Sequence, residues 1–156
     1  METNTKSGIF SVRPMKETDI DSVVAIENAN FSIPWSAASF LDACNQEYNV
    51  YLVCEMDGEI VGYCGMWTVM GEGNITNMAV DEKYRKCGIG SALMNAMELM
   101  GQKMDVSIIF LEVRDSNIAA QKLYEKMGYR EIGRRKRFYE RPVEDALVMS
   151  KIYRAE

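Results

Sequence analysis

The chain has 156 residues, the length of one ordinary domain and enough to bury a continuous core. With 47% hydrophobic residues, 26% charged residues and only three prolines, it falls outside the disordered, collagen-like and low-complexity classes. A formal charge of −5 argues against a nucleic-acid binder that relies on a global positive field, and suits a basic substrate.

The start, METNTKSGIF, is polar and lacks the apolar run of a secretory signal, so residues 1–8 are expected as a polar tail and the protein as cytoplasmic. Residues 9–13 read as a strand whose ladder Pro14 ends. Thr18 or Asp19 can cap the helix that follows, with Ile20, Val23, Val24 and Phe31 on one face. Ile33-Pro34-Trp35 breaks that helix, and Ser36 caps a second one running to about Gln46, giving a helical hairpin.

From Asn49 the period changes to strands. Residues 51–56, the turn Asp57-Gly58 and residues 60–70 make a β-hairpin, since Asp-Gly suits a tight turn with positive φ. The uncharged stretch 60–71 is too short for a bilayer, which takes about 20 apolar residues, so no membrane span is expected. Gly71-Glu72-Gly73-Asn74 reads as the next turn and residues 75–80 as a third strand. Ile89, Leu93, Met97 and Met100 form a helical stripe, and residues 106–113 an apolar strand of the kind buried on both faces. Residues 117–127 are helical, with Ala120, Leu123, Tyr124 and Met127 inward and Gly128 as C-terminal cap. Two strands, about 129–139 and 145–152, close the chain. The order predicts a single α/β domain over residues 9–154, with a mixed, mostly antiparallel central sheet flanked by helices.

The chain has no histidine, which removes Ser-His-Asp and Cys-His catalysis and any histidine-ligated metal; proton transfer must rest on carboxylates, tyrosines, lysines or water. Cys44, Cys54, Cys64 and Cys87 form no Cys-x-x-Cys pair, so they read as reduced and mostly buried, and no metal is called for. The informative segment runs from Val80 to Ser91, where Gly88 and Gly90 open a helix. Free N–H groups at a helix start, without side chains in the way, form an anion cradle suited to a pyrophosphate. The Lys of an ATP-binding loop is missing, and Leu93 replaces the third glycine of a dinucleotide fingerprint.

The run Arg85-Lys86-Cys87-Gly88-Ile89-Gly90 resembles the Arg/Gln-x-x-Gly-x-Gly/Ala signature of the GCN5-related N-acetyltransferase (GNAT) superfamily. A second block runs from Leu111 through Glu112, Val113, Arg114, Asp115 and Ser116 to Asn117, and continues with Ala119-Ala120 and the stretch from Leu123 to Tyr129. It is similar to the ribosomal-protein-alanine N-acetyltransferases, the RimI type, as are Ile33-Pro34-Trp35-Ser36 and Glu144-Asp145-Ala146. Phe138 departs from this pattern, standing where a tyrosine is common, and the loop from Tyr139 to Glu144 is short.

The resemblance implies a GNAT (acyl-CoA N-acyltransferase) fold whose splayed sheet holds acetyl-CoA. Met78, Ala79 and Val80 would present backbone groups to the pantetheine arm, and Arg85, Lys86, Cys87, Gly88, Ile89, Gly90 and Ser91 would form the pyrophosphate loop. Asn117, a helix cap on its own reading, would also contact the coenzyme. Glu112, at a strand end, would take the amine proton directly or through a water, and Tyr124 would protonate the leaving thiolate. Trp35 and Tyr139 would line the acceptor side. The implied reaction is acetyl transfer to the N-terminal alanine of a ribosomal protein, the eighteenth of the small subunit. An α-amine with pKa of roughly 7.7–8.0 is already partly neutral at physiological pH, so one modest base is enough. The alternatives are a GNAT acetylating another protein N-terminus, a lysine or a small amine. Arg134-Arg135-Lys136-Arg137 reads as a solvated hairpin edge or as a docking site for ribosomal RNA or an acidic partner.

Overall fold

A computed structural model describes residues 2–5 and 8–153, with side chains from Ile9 onward. Eight strands form one sheet in the order β1-β2-β3-β4-β5-β6-β8-β7. They are β1 (Glu2–Thr5), β2 (Gly8–Pro14), β3 (Asn49–Met56), β4 (Glu59–Val69), β5 (Glu72–Val80), β6 (Ile108–Arg114), β7 (Arg130–Tyr139) and β8 (Glu144–Ile152). Helices α1 (Ile20–Asn30) and α2 (Ala37–Cys44) follow β2, α3 (Ile89–Lys103) follows β5, and α4 (Ile118–Lys126) follows β6. Every strand pairing is antiparallel except β5 with β6. The α/β sheet expected from the element order is present.

Two apolar layers sandwich the sheet. Ile89, Leu93 and Met97 of α3 and Tyr124 of α4 pack on one face with Cys64, Met66, Leu111 and Val113. Ile20, Val23 and Ile26 of α1 and Phe40 of α2 pack on the other with Tyr51, Val53, Tyr63 and Ala79. Helices cover both faces because each must bury its apolar stripe against a sheet.

Several local details differ from the sequence reading. Residues 2–5, expected within a tail, pair with β2 as an edge strand, since a ladder needs only backbone groups. Met1, Lys6, Ser7 and residue 154 lie outside the described residues. Phe31 caps α1 and is exposed, whereas Ile26 and Glu27 are buried. The hairpin turn after β4 falls at Met70 and Gly71, both with positive φ, so Glu72 and Gly73 already lie in β5. Gly73 is needed there for space: a Cβ would sit 2.7 Å from Met66 Sδ. β6 is buried fully on one face only. Ile109, Leu111 and Val113 alternate with partly exposed Ile108, Phe110, Glu112 and Arg114.

The split in the sheet positions everything that follows. β5 and β6 pair only through Glu72, Gly73 and Asn74 against Ile108, Ile109 and Phe110. Beyond Asn74 they separate. The register of β4 against β5 slips there, Met66 facing Ile75 and Gly65 facing Asn77, so Thr76 is an extra, bulged residue. A bulge bends and twists its strand, which turns β5 away from β6.

Candidate active site

The two lips of this split carry four of the residues singled out by sequence, Met78, Ala79 and Val80 on β5 and Glu112 on β6. On β5, Met78 and Val80 pack toward α3 and α4, while Ala79 packs toward α1 and α2. On β6, Ile109, Leu111 and Val113 take the α3–α4 side, so alternation turns Glu112 and Arg114 to the α1–α2 side.

α3 begins at the mouth of the split. Gly88 is its N-cap with φ +85°, a left-handed backbone that favours glycine, and Lys86 before it also has positive φ. The N–H groups of Ile89, Gly90 and Ser91 precede the first intrahelical bond, which runs from Ala92 N–H to the Gly88 carbonyl at 3.1 Å. A Cβ on Gly88 would meet nothing within 4 Å, so this glycine opens to space. Gly90 differs: a Cβ there would lie 3.2 Å from both Leu123 Cδ2 and Met78 Cε. Its lack of a side chain lets α3 pack against α4 and β5. Arg85 turns away from the loop and donates to Asn30 Oδ1 at the end of α1. Cys87 Sγ donates to the Arg85 carbonyl at 3.7 Å. Asn117 caps α4, its side chain accepting from Ala120 N–H at 3.1 Å.

Tyr124 is buried, with its hydroxyl 3.6 Å from Met78 Sδ and its ring edge-on to Tyr129 at 5.9 Å. Burial pushes the phenol above its ordinary range, which keeps it protonated. Glu112 Oε2 lies 3.2 Å from Arg135 Nε on β7. Arg114 stacks over the Tyr139 ring at 4.4 Å and donates to Glu144 Oε2 at 3.1 Å. Tyr139 is pushed up to about 12, first by burial and then by the charge of Glu112.

Trp35 faces this side from the loop between α1 and α2, its ring 5.3 Å from Phe40 and 6.4 Å from Tyr51. The loop is pinned by Glu27, a buried carboxylate the sequence reading passed over. Glu27 accepts from Trp35 N–H at 2.9 Å and from the Tyr63 hydroxyl. Its signal was faint, an acidic residue one place off an apolar stripe. Across the opening, Ser32 Oγ donates to the Glu140 carbonyl at 3.4 Å, so this loop and the β7–β8 connection meet. The basic run is partly compensated: Arg134 pairs with Asp115 at 3.1 Å and Asp145 at 3.6 Å, and Arg135 with Glu112.

The region thus combines a split between two parallel strands, a glycine-opened helix at its mouth, and a carboxylate and a phenol on its two sides. Residues 20–129 match the Acetyltransferase (GNAT) family, and the chain belongs to it. A Bacillus subtilis (strain 168) protein named "Putative ribosomal protein bS18-alanine N-acetyltransferase" is 44% identical over 141 residues, covering 89% of this chain and 93% of that one. The crystal structure of the ribosomal-protein-S18-alanine N-acetyltransferase from Escherichia coli superposes with a TM-score of 0.86 at 28% identity, covering 94% of this chain and 96% of that one. Arabidopsis thaliana NAA60, solved in complex with acetyl-CoA, shares the fold with a TM-score of 0.83 at 22% identity, covering 92% of this chain and 98% of that one.

Proposed function

We propose that the protein transfers the acetyl group of acetyl-CoA to the α-amine of the N-terminal alanine of a small-subunit ribosomal protein, the eighteenth. The observation that carries this reading is the split sheet with Glu112 on one lip and the Tyr124 hydroxyl against the other. The 44% identity to the Bacillus subtilis protein supports the acceptor.

The residues fit the coenzyme. Beyond Asn74, the β5 edge that faced β6 has no partner strand among the described residues, so the backbone of Met78, Ala79 and Val80 is available to the amides of a pantetheine arm. The N–H groups of Ile89, Gly90 and Ser91, with the open approach at Gly88, suit the pyrophosphate, and Lys86 adds positive charge in the same loop, whereas Arg85 is engaged with Asn30. Cys87 continues that loop, and Asn117 stands at the start of the helix bearing Tyr124. Acetyl-CoA, when bound, supplies a thioester as acyl donor.

Glu112 accepts a proton from the α-ammonium, directly or through a water, because only the neutral amine can attack. Arg135 holds one oxygen of this carboxylate and leaves the other for the proton. Tyr124 donates to the departing sulfur. Its raised pKa makes full transfer to a free thiolate uphill, so its contribution is a hydrogen bond that strengthens as charge develops on sulfur. Trp35 and Tyr139 flank the acceptor.

Incubation with acetyl-CoA and a hexapeptide beginning Ala-Arg, read by mass spectrometry, tests this reading. One acetyl group on the α-nitrogen is expected, with slower turnover of a Trp-first peptide because the amine is misplaced. Modification of a lysine side chain, or equal rates for Ala and Trp, would assign the broader amine acetyltransferase instead. The protein is expected in the cytoplasm, where its acceptor is made.

A further inference from the structure

We infer that Asn77 is an acceptor-binding residue that selects an α-amine over a lysine ε-amine, its side-chain amide donating to the carbonyl oxygen of the acceptor's first residue. This rests on the reading above of an Nα-acetyltransferase.

Asn77 is 7% exposed, and its amide is satisfied at one end only. Oδ1 accepts from Thr76 Oγ1 at 2.7 Å and from the Tyr51 hydroxyl at 3.3 Å. Nδ2 has no partner among the described residues. A buried amide donor without an acceptor is costly, and buried polar groups left so are rare.

The arrangement around it is built. The Tyr51 ring crosses β4 to reach β5 only because residue 65 is glycine: a Cβ there would overlap the ring and approach Thr76 Oγ1 to 2.8 Å. Thr76 is the bulged residue that turns β5 away from β6. Thus the device that opens the sheet also orients the Asn77 amide.

Position gives the ligand. Asn77 lies two residues before Ala79, on the α1–α2 side, while α3, whose N-terminus suits the pyrophosphate, and α4 cover the opposite side. Coenzyme enters from the α3–α4 side, so the α1–α2 side admits the acceptor. Glu112 shares this side from the other lip. An α-amine held at Glu112 carries its own carbonyl oxygen three bonds away, and the group that Asn77 leaves without a partner is a donor. A lysine ε-amine has no carbonyl within that reach. Loss of an unmatched buried donor is the kind of discrimination that a hydrogen-bonding site enforces strongly.

The test compares wild type and Asn77→Leu on an Ala-Arg hexapeptide and on the same peptide with an (E)-alkene in place of its first amide, which lacks that carbonyl. In wild type the alkene is expected to raise KM about 10-fold or more. Asn77→Leu is expected to raise KM for the natural peptide by a similar factor and to show no further loss with the alkene. Acetyl-CoA Kd and Tm are expected to stay at or above wild-type quality, since Leu removes an unpaired amide. Asn77→Ala carries the same kinetic expectation if Leu is not accommodated. An Asn77→Leu enzyme with wild-type KM overturns the proposal, as does an alkene penalty that persists in the variant. A fall in kcat at unchanged KM also overturns it, by placing the amide on the thioester carbonyl. A wild-type protein that leaves the α-amine unmodified overturns the acetyltransferase reading itself.

Discussion

The Tyr124 hydroxyl lies 3.6 Å from Met78 Sδ, so the buried phenol of α4 meets β5 after that strand has parted from β6. A thioether is a weak acceptor, which leaves this hydroxyl free to turn to a better one. Tyr124→Phe is therefore expected to fold with nearly unchanged Tm and to bind acetyl-CoA normally, while kcat falls by about 10²–10³-fold. Because burial raises the phenol's pKa, wild-type kcat is expected to show no descending limb below pH ~10 from Tyr124 ionisation. A pH–rate profile and stopped single turnovers check both points.

Glu112→Gln keeps the shape of the side chain and removes its basicity. Turnover at pH 7 is expected to fall by about 10²–10⁴-fold and to recover partly as pH rises through the α-amine range of roughly 7.7–8.0, where the amine needs no help. A Glu112→Gln enzyme with the wild-type rate at pH 7 would remove this residue from the mechanism. Arg135→Ala is expected to have a smaller effect, since that guanidinium is well exposed and the pair is screened.

The two glycines of the α3 start separate by experiment. Gly88→Ala places a side chain at φ +85°, at a cost of about 1–2 kcal/mol, and puts a methyl into the space facing the cradle. Weaker acetyl-CoA binding is expected. Gly90→Val instead presses on Leu123 and Met78, so its main effect is a loss of stability of about 1–3 kcal/mol. Calorimetric Kd and Tm together distinguish them: a Gly90→Val protein with wild-type Tm would contradict the packing role.

Asp19 stabilises the fold in a pH-dependent way. Its carboxylate accepts from Arg13 Nη1 at 2.7 Å and from Lys16 N–H at 2.8 Å, and Arg13 also pairs with Glu55 at 2.9 Å. The Arg13 hydrogen bond, more than any other cause, holds its pKa below the ordinary range. A depressed native pKa gives stability that is complete above the unfolded value of about 3.9 and is lost as pH falls through the native value. Asp19→Asn is expected to cost about 1–3 kcal/mol at pH 7. The Tm curves of variant and wild type are expected to converge below pH 4.

The order of elements, the helix stripes and the Asp57-Gly58 hairpin were legible because period and turn chemistry are local. So were the Gly88 start of α3 and the placement of Tyr124 on an inward helical face. The resemblance of the stretch from Arg85 to Gly90, and of that from Leu111 to Tyr129, pointed to the family. What the sequence did not carry were distances between segments far apart in the chain. Nothing local marks Thr76 as a bulge, since register depends on what β4 places opposite. Nor does a glycine pair reveal that Gly88 faces space while Gly90 faces Leu123. Glu27 and Asn77 read as ordinary polar residues until Tyr63, Trp35 and Tyr51 came beside them. One strand's backbone and side chains specify that it will pair; only the tertiary structure decides where the pairing stops, and the site is built where it stops.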